Sequence, residues 1–435
     1  MNDILRLGEV IARQQAELVE QLSSIKLIDR DIGTLQVQEI FKNGPGIVVI
    51  QGVRRCGKSI YSTSCFEQDY IYVNFDDERL NAVKANELES ILEACYQVKG
   101  KSLRNFIFDE IQLVEGWEPF ISRLGRSKNV IVTGSNAKLL SSELATRLTG
   151  RYIPLKLYPF SFSEFIRSKG VSFSENPWQL ATSDSGHLRQ MLLDYIDLGG
   201  FPDVSKYGQQ YPQSVYADII QKDILVRHKI KNHVKFKEFA KVIVSNFSQE
   251  LSITKVGKVV GIESPNTASK YSHYLQDTYL AFSLNRYFHK LKGQLVSNKK
   301  YYAIDSGIIK SIAYTPTANF GALLENIVYL ELLRQRDYHQ LFDEIFFWQT
   351  ESAEVDFLLR QNKKSLAAIQ VCADLSNPLT REREVRALIK IANEMKPEKL
   401  LIVTEGQQEE LIVEGTKIEV WPLAKWLLDP KRSLA

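Results

Sequence analysis

Eight consecutive residues, Gly52-Val53-Arg54-Arg55-Cys56-Gly57-Lys58-Ser59, place glycine first and sixth, then a lysine and a hydroxyl, directly after the apolar run 47–50 and Gln51. The order is G-x-x-x-x-G-K-[ST], in the strand-then-helix context that the pattern requires. Two glycines let a loop wrap round a phosphate chain with its backbone N–H groups pointing inward, and a helix opening at Lys58 adds the positive end of its dipole. Lysine here reaches the β- and γ-phosphates, and the Ser59 hydroxyl is a hard oxygen ligand suited to magnesium. Residues Gly52 through Ile60 are therefore read as the loop that holds ATP with Mg2+.

About fifty residues further on, Phe106-Ile107-Phe108-Asp109-Glu110 is an apolar strand ending in two carboxylates. Asp109 is expected to hold magnesium through water, and Glu110 to orient and polarise the attacking water. The next β-branched run, 129–133, ends in Gly134-Ser135-Asn136. Ser135 and Asn136 either sense the γ-phosphate and place the water, or cap the helix expected to follow, since both types are favoured caps. Arg147 and Arg151 flank Thr149-Gly150. Delivered from a neighbouring subunit, such an arginine neutralises charge on the transferred phosphoryl group, which would demand a homo-oligomer; surface salt bridges are the alternative. The expected catalytic set is Lys58, Glu110, Asn136, Arg147 and Arg151.

The elements that must position these groups follow from periodicity. Residues 46–157 alternate short β-branched or aromatic runs with helical segments, the rhythm of a parallel sheet covered by helices. Only about ten residues separate Lys58 from the next strand at Tyr70, so the helix after the loop must be short. Residues 2–24 have the spacing of an amphipathic helix, read as an appendage. Past Pro159 helices are expected at 162–169, 187–198 and 213–226, broken by Gly199-Gly200 and Pro202. Compact helical segments follow over 236–287, then mixed α/β sequence from Lys299. The expected division is 1–30, an N-terminal helix; 31–160, the P-loop domain; 161–235, a helical connector; 236–298, a helix-turn-helix module; and 299–435, a second α/β domain.

At 435 residues the chain suggests several domains, and 44% hydrophobic with 25% charged residues is the composition of a folded globular protein. A net charge of +3 advertises no global nucleic-acid field. No apolar run has the length of a membrane span, residues 1–18 lack the features of a secretory signal, and no membrane partner is expected. Cys56, Cys65, Cys95 and Cys372 are scattered without a C-x-x-C pair, which suits a reducing cytoplasm rather than a disulfide framework or a zinc site.

Together with the loop, Asn74-Phe75-Asp76-Asp77-Glu78-Arg79, Phe108-Asp109-Glu110-Ile111-Gln112, Thr133-Gly134-Ser135-Asn136 and Arg147-Leu148-Thr149-Gly150-Arg151 resemble a prokaryotic family of AAA-type ATPases with a C-terminal domain of the DUF4143 type. Tyr158-Pro159-Phe160-Ser161-Phe162-Ser163-Glu164-Phe165, Gly199-Gly200-Phe201-Pro202, Leu324-Glu325-Asn326 and Glu354-Val355-Asp356-Phe357 extend the resemblance over most of residues 37–404. It implies a multidomain α/β protein: an AAA-like P-loop sheet, a helical and winged-helix middle, and a C-terminal fold similar to PD-(D/E)xK nucleases.

In the middle, 251–257 and 264–271 read as a support helix and a recognition helix, with a wing near 281–287. Asn266, Ser269 and Lys270 would then approach the major groove of double-stranded DNA, unless the module packs domains together. At the C-terminus Glu325 and Asp356 match the first two positions of a nuclease centre, but the third reads Gln370-Val371-Cys372, with a thiol where lysine is needed. Lys363 or Lys364 could replace it, but both fall in an expected hairpin. The preferred reading is an inactive nuclease-like fold kept for binding DNA or a protein partner. The function expected is ATP hydrolysis coupled to conformational control of the C-terminal domains; the alternatives are a slowly hydrolysing nucleotide-dependent switch and an ATP-regulated nuclease.

Overall fold

A computed structural model of the chain describes residues 2–66, 69–81, 83–136, 152–171, 182–314 and 320–434, in two compact units, Met1–Tyr158 and Pro159–Ala435.

The first unit is built on five parallel strands, β1 (Gly46–Gln51), β2 (Tyr70–Asn74), β3 (Asn105–Asp109), β4 (Asn129–Gly134) and β5 (Tyr152–Lys156). Their order is β2-β3-β4-β1-β5. Strands β1 and β4 are almost wholly buried, as expected when both faces of a parallel sheet are covered. The order has one consequence for chemistry. Strand β4 lies between the strand that feeds the glycine-rich loop and the strand that ends in Asp109, so Thr133 to Asn136 emerge between the two motifs.

Helix Asn2–Ser24 is no appendage. It packs on helix Leu88–Lys99 and on β2, and Val10 and Ile11 belong to the apolar core under the sheet. It also covers the exposed side of edge strand β2. Gln14 bonds the N–H and C=O of Asn74, both at 3.0 Å, and Gln15 accepts from the N–H of Tyr72 at 3.1 Å. Two glutamine side chains thus take the place of a further strand and satisfy an edge that would otherwise be open.

The second unit opens with helix Phe162–Ser168, whose Ser161 and Glu164 form a reciprocal capping box. Gly200 follows helix Thr182–Leu198 and lies against Phe160: a Cβ there would sit 2.3 Å from the Phe160 carbonyl oxygen, which explains a glycine at this point. The buried Asp305 carboxylate accepts from the N–H of Gly200 at 2.6 Å and of Ile308 at 3.2 Å. Helices His233–Ser245, Ile253–Val259 and Pro265–Asp277 then pack with a small antiparallel sheet, β6 (Gln249–Leu251), β7 (Ala281–Asn285) and β8 (Lys299–Ala303), ordered β6-β8-β7. The boundary expected between residues 298 and 299 runs through this sheet, because β8 is its central strand.

A mixed sheet of six strands completes the unit: β9 (Glu344–Gln349), β10 (Glu354–Gln361), β11 (Lys364–Val371), β12 (Lys399–Thr404), β13 (Glu409–Val413) and β14 (Thr416–Pro422), ordered β13-β14-β12-β11-β10-β9. Helix Phe320–His339 is buried along most of its length, and helix Pro378–Met395 packs on β10 and β11. No described helix is long and apolar enough to cross a membrane.

Candidate active site

The glycine-rich loop has the backbone its sequence demands. Gly57 is left-handed (φ 96°) and opens helix Lys58–Ser64, only seven residues long. A Cβ at Gly52 would lie 2.1 Å from the carbonyl oxygen of Leu157, so only glycine fits there. Cys56 is buried and its thiol donates to that same carbonyl at 3.3 Å; burial pushes the thiol up, so it stays neutral. Arg30 fastens the loop from behind, donating to the Cys56 carbonyl at 3.0 Å and to that of Tyr158 at 2.5 Å. Val53 is buried, Arg54 reaches Asp76 at 3.7 Å, Arg55 is exposed, and Ile60 is half-buried on the short helix. The Lys58 ammonium turns into the loop, 3.1 Å from the carbonyl oxygens of both Gly52 and Val53.

Asp109 gathers the second half of the site. It is buried, and it accepts from the Ser59 hydroxyl at 2.7 Å, from the Tyr72 hydroxyl at 2.6 Å, and from Thr133 Oγ1. Burial, reinforced by the Asp109 charge, raises the Tyr72 phenol far above its ordinary value, so it remains a donor. Thr133 Oγ1 also accepts from the N–H of Glu110 at 3.2 Å and so bridges the two carboxylate residues. Glu110 itself is left-handed (φ 52°, ψ 36°), a conformation of some strain for a non-glycine residue. Its Oε2 accepts from Gln112 Nε2 and from Ser135 Oγ at 3.4 Å, while its Oε1 lies 3.9 Å from the Lys58 ammonium.

Lys58, Ser59, Asp109, Glu110 and Ser135 therefore come together at the C-terminal ends of β1, β3 and β4. Asn136 is buried at the end of β4. Arg147, Arg151 and the helix expected after Asn136 lie outside the described residues. The donor set suits magnesium: the Ser59 hydroxyl and the Asp109 carboxylate are adjacent hard oxygens with no softer ligand between them. Sequence reasoning missed Tyr72, Thr133, Gln112 and Arg30 as supports of this site. The polar end of β4 pointed to Thr133, but nothing short of the β2–β3 register could have placed Tyr72 beside Asp109.

A second constellation lies in the C-terminal domain. Glu325, Glu354 and Asp356 meet, as their motif spacing suggested for Glu325 and Asp356, but the group at their centre is Lys300 of β8. Its Nζ is 3.0 Å from Glu325, 2.6 Å from Glu354 and 3.0 Å from Asp356. Burial would depress this amine, but the carboxylates hold it well above its ordinary value. A cavity of about 800 Å3 opens beside the cluster, lined also by Gln370, Cys372, Arg383 and Glu384. Burial pushes the Cys372 thiol up to about 12. Lys363 and Lys364 lie at the β10–β11 hairpin and line a different cavity.

Residues 44–166 match the family described as AAA domain, 189–318 a domain of unknown function, DUF8612, and 320–426 the domain of unknown function DUF4143. The chain is 33% identical to the Methanocaldococcus jannaschii protein named "Uncharacterized protein MJ1544", over 94% of this chain and 93% of that one. It is 30% identical to an uncharacterized protein of Haemophilus influenzae, over 89% and 96% of the two chains. Similar solved structures include the Walker-type ATPase of Pyrococcus abyssi (TM-score 0.44, 14% identity, 66% of this chain and 96% of that one). Another is the Aeropyrum pernix ORC1 protein in complex with DNA (TM-score 0.30, 14% identity, 67% and 94%). With its loop, strand order and domain sequence in view, the chain belongs to the family of AAA-type P-loop proteins that carry a C-terminal DUF4143 domain.

Proposed function

We propose that the chain binds ATP with magnesium at Gly52 to Ile60 and hydrolyses it, using the energy to change how its C-terminal regions engage a partner. The observation that carries this is the convergence of Lys58, Ser59, Asp109 and Glu110 at one end of a parallel sheet. MgATP would supply the transferable phosphoryl group and the metal that screens its charge. Ser59 and Asp109 would hold the metal, and the Lys58 ammonium would leave the Gly52 and Val53 carbonyls for the phosphates. Glu110 would hold the attacking water. Thr133 fixes its backbone and Gln112 with Ser135 its carboxylate, so that water has a defined place. Asn136 is proposed to assist from the end of β4, and Arg147 or Arg151 to act from a neighbouring subunit.

The partner we favour is double-stranded DNA. Asn266, Ser269, Lys270 and His273 are exposed at helical spacing along one face of Pro265–Asp277, whose partner helix packs so close that a Cβ at Gly257 would be 2.9 Å from that of Ala268. These features support reading the module as a winged-helix head, with β7 and β8 taken as its wing. The deciding experiment is ATP turnover by the full chain beside Lys58→Ala and Glu110→Gln, with and without DNA. Turnover is expected to fall about 100-fold or more in both variants and to rise with DNA in the parent. The alternative reading is a slowly hydrolysing nucleotide-dependent switch. Equal turnover in the parent and Glu110→Gln, with ATP still bound, would establish that reading instead.

A further inference from the structure

The resemblance to PD-(D/E)xK nucleases implies a divalent metal between Glu325 and Asp356, and the residues present do not fit one. An ammonium carries three N–H donors, and Lys300 spends them on oxygens of Glu325, Glu354 and Asp356 at 3.0, 2.6 and 3.0 Å. The lysine is only 3% exposed, with the Phe347 ring 5.7 Å from Nζ. Several of these oxygens have further partners, Glu354 Oε2 among them, which accepts from Gln349 Nε2 at 3.1 Å. Glu325 Oε1 accepts a second bond, from the Tyr302 hydroxyl at 2.7 Å, and Asp356 Oδ2 accepts from the N–H of Val371 at 2.9 Å.

Gln370, at the third position of the motif, is used as a staple between β10 and β11. Its Oε1 accepts from the N–H of Asp356 at 2.7 Å, and its Nε2 donates to the Glu354 carbonyl at 3.1 Å and to Glu384.

We infer that Lys300 is the resident cation of the C-terminal domain: its ammonium fills the space between Glu325, Glu354 and Asp356 that a divalent ion would need, so this centre is metal-free and does not cut phosphodiesters. A divalent ion needs its oxygens at about 2.0–2.6 Å, inside the volume the nitrogen takes. Entry would also strand a buried ammonium without its partners. The lysine reaches the cluster from β8 of the small sheet rather than from β11, so spacing along 356–372 gave no sign of it. The corollary is that the metal site is latent. Removing the ammonium leaves the three carboxylates converging on an empty point.

The test is Mn2+ binding by electron paramagnetic resonance on the full chain without nucleotide, with Asp109→Asn throughout to silence the P-loop. The Lys300-intact chain is expected to bind no Mn2+ in the C-terminal domain. Adding Lys300→Ala should create a single site, and adding Asp356→Asn should abolish it. Mn2+ bound by the Lys300-intact chain and lost on Asp356→Asn overturns the inference, as does a folded Lys300→Ala chain that gains no site. Should Lys300→Ala fail to fold, the comparison of the Lys300-intact chain with and without Asp356→Asn decides alone: no binding in either supports the resident cation. Cleavage of DNA in Mg2+ or Mn2+ by the Lys300-intact chain, abolished by Asp356→Asn, would also overturn it.

Discussion

Glu110 takes a left-handed backbone at the point where a strand must stop and a carboxylate must face the loop. Such strain costs of the order of 1 kcal/mol or more and persists only when neighbours over-determine it; here Thr133 holds the backbone and Gln112 and Ser135 hold the side chain. Gln112→Ala should therefore lower kcat about 10- to 100-fold while leaving KM for ATP nearly unchanged, the signature of misplacement rather than lost binding. Steady-state kinetics decide this, and a raised KM at constant kcat would place Gln112 in ATP binding instead. Gly52 makes the opposite kind of contribution. Gly52→Ala drives a methyl against the Leu157 carbonyl, and the loop must shift. Loss of ATP binding is expected, with a destabilisation of about 1–3 kcal/mol, measured by calorimetry and by chemical unfolding.

At the scale of elements, helix Asn2–Ser24 closes the edge of the sheet and part of its core. Val10, Ile11 and Leu18 are each buried, and each is worth roughly 1.5–3 kcal/mol on folding. Deleting residues 2–24 should accordingly collapse the thermal stability of the first unit and abolish ATP binding, although no residue of the helix belongs to the loop. The helix is pinned near its middle by Asp77, which accepts from Gln14 at 2.7 Å and from Arg79 through both carboxylate oxygens. The Arg79 guanidinium, with Gln14, lowers Asp77 from its ordinary 3.8 to about 2. Folded Asp77 thus binds fewer protons than unfolded Asp77 between those values, and its stabilisation is complete above about pH 4 and lost as pH falls towards 2. Asp77→Asn should remove that part of the acid sensitivity, read as a flatter dependence of the urea midpoint on pH between about 4 and 2.

The two compact units predict the behaviour of the whole molecule. The proposed nucleotide site draws only on residues of the first unit, so a non-hydrolysable ATP analogue should raise one calorimetric transition, by about 2.7 kcal/mol at a hundredfold excess over Kd, and leave the transition of residues 159–435 in place. A uniform shift of both would show that the units unfold together. If Arg147 or Arg151 completes a neighbour's site, specific turnover should rise with protein concentration and fall in either Arg→Ala variant. Strict proportionality of rate to concentration would dismiss the shared site.

The glycine-rich loop was legible in the sequence because its pattern is local: eight adjacent residues, the strand before them and the helix after them contain the whole argument. The Asp109-Glu110 pair was legible for the same reason, as were the short helix after Lys58, the strands at 47–50, 106–109 and 129–133, and the one opening at Tyr70. Groups that act across the sheet were not. Tyr72 reaches Asp109 only through the β2–β3 register, and Gln14 and Gln15 meet β2 only because a helix far off in sequence lies along its edge. Lys300 was hidden most deeply. Its partners stand on a helix and on a strand of another sheet, and periodicity assigns each residue to an element but says nothing of which elements meet. Residue types and their spacing determined the glycine-rich loop and the carboxylate pair beside it; only the tertiary packing decided that Lys300 sits among the C-terminal carboxylates, because a buried carboxylate such as Glu325 needs a compensating charge from whichever element can deliver one.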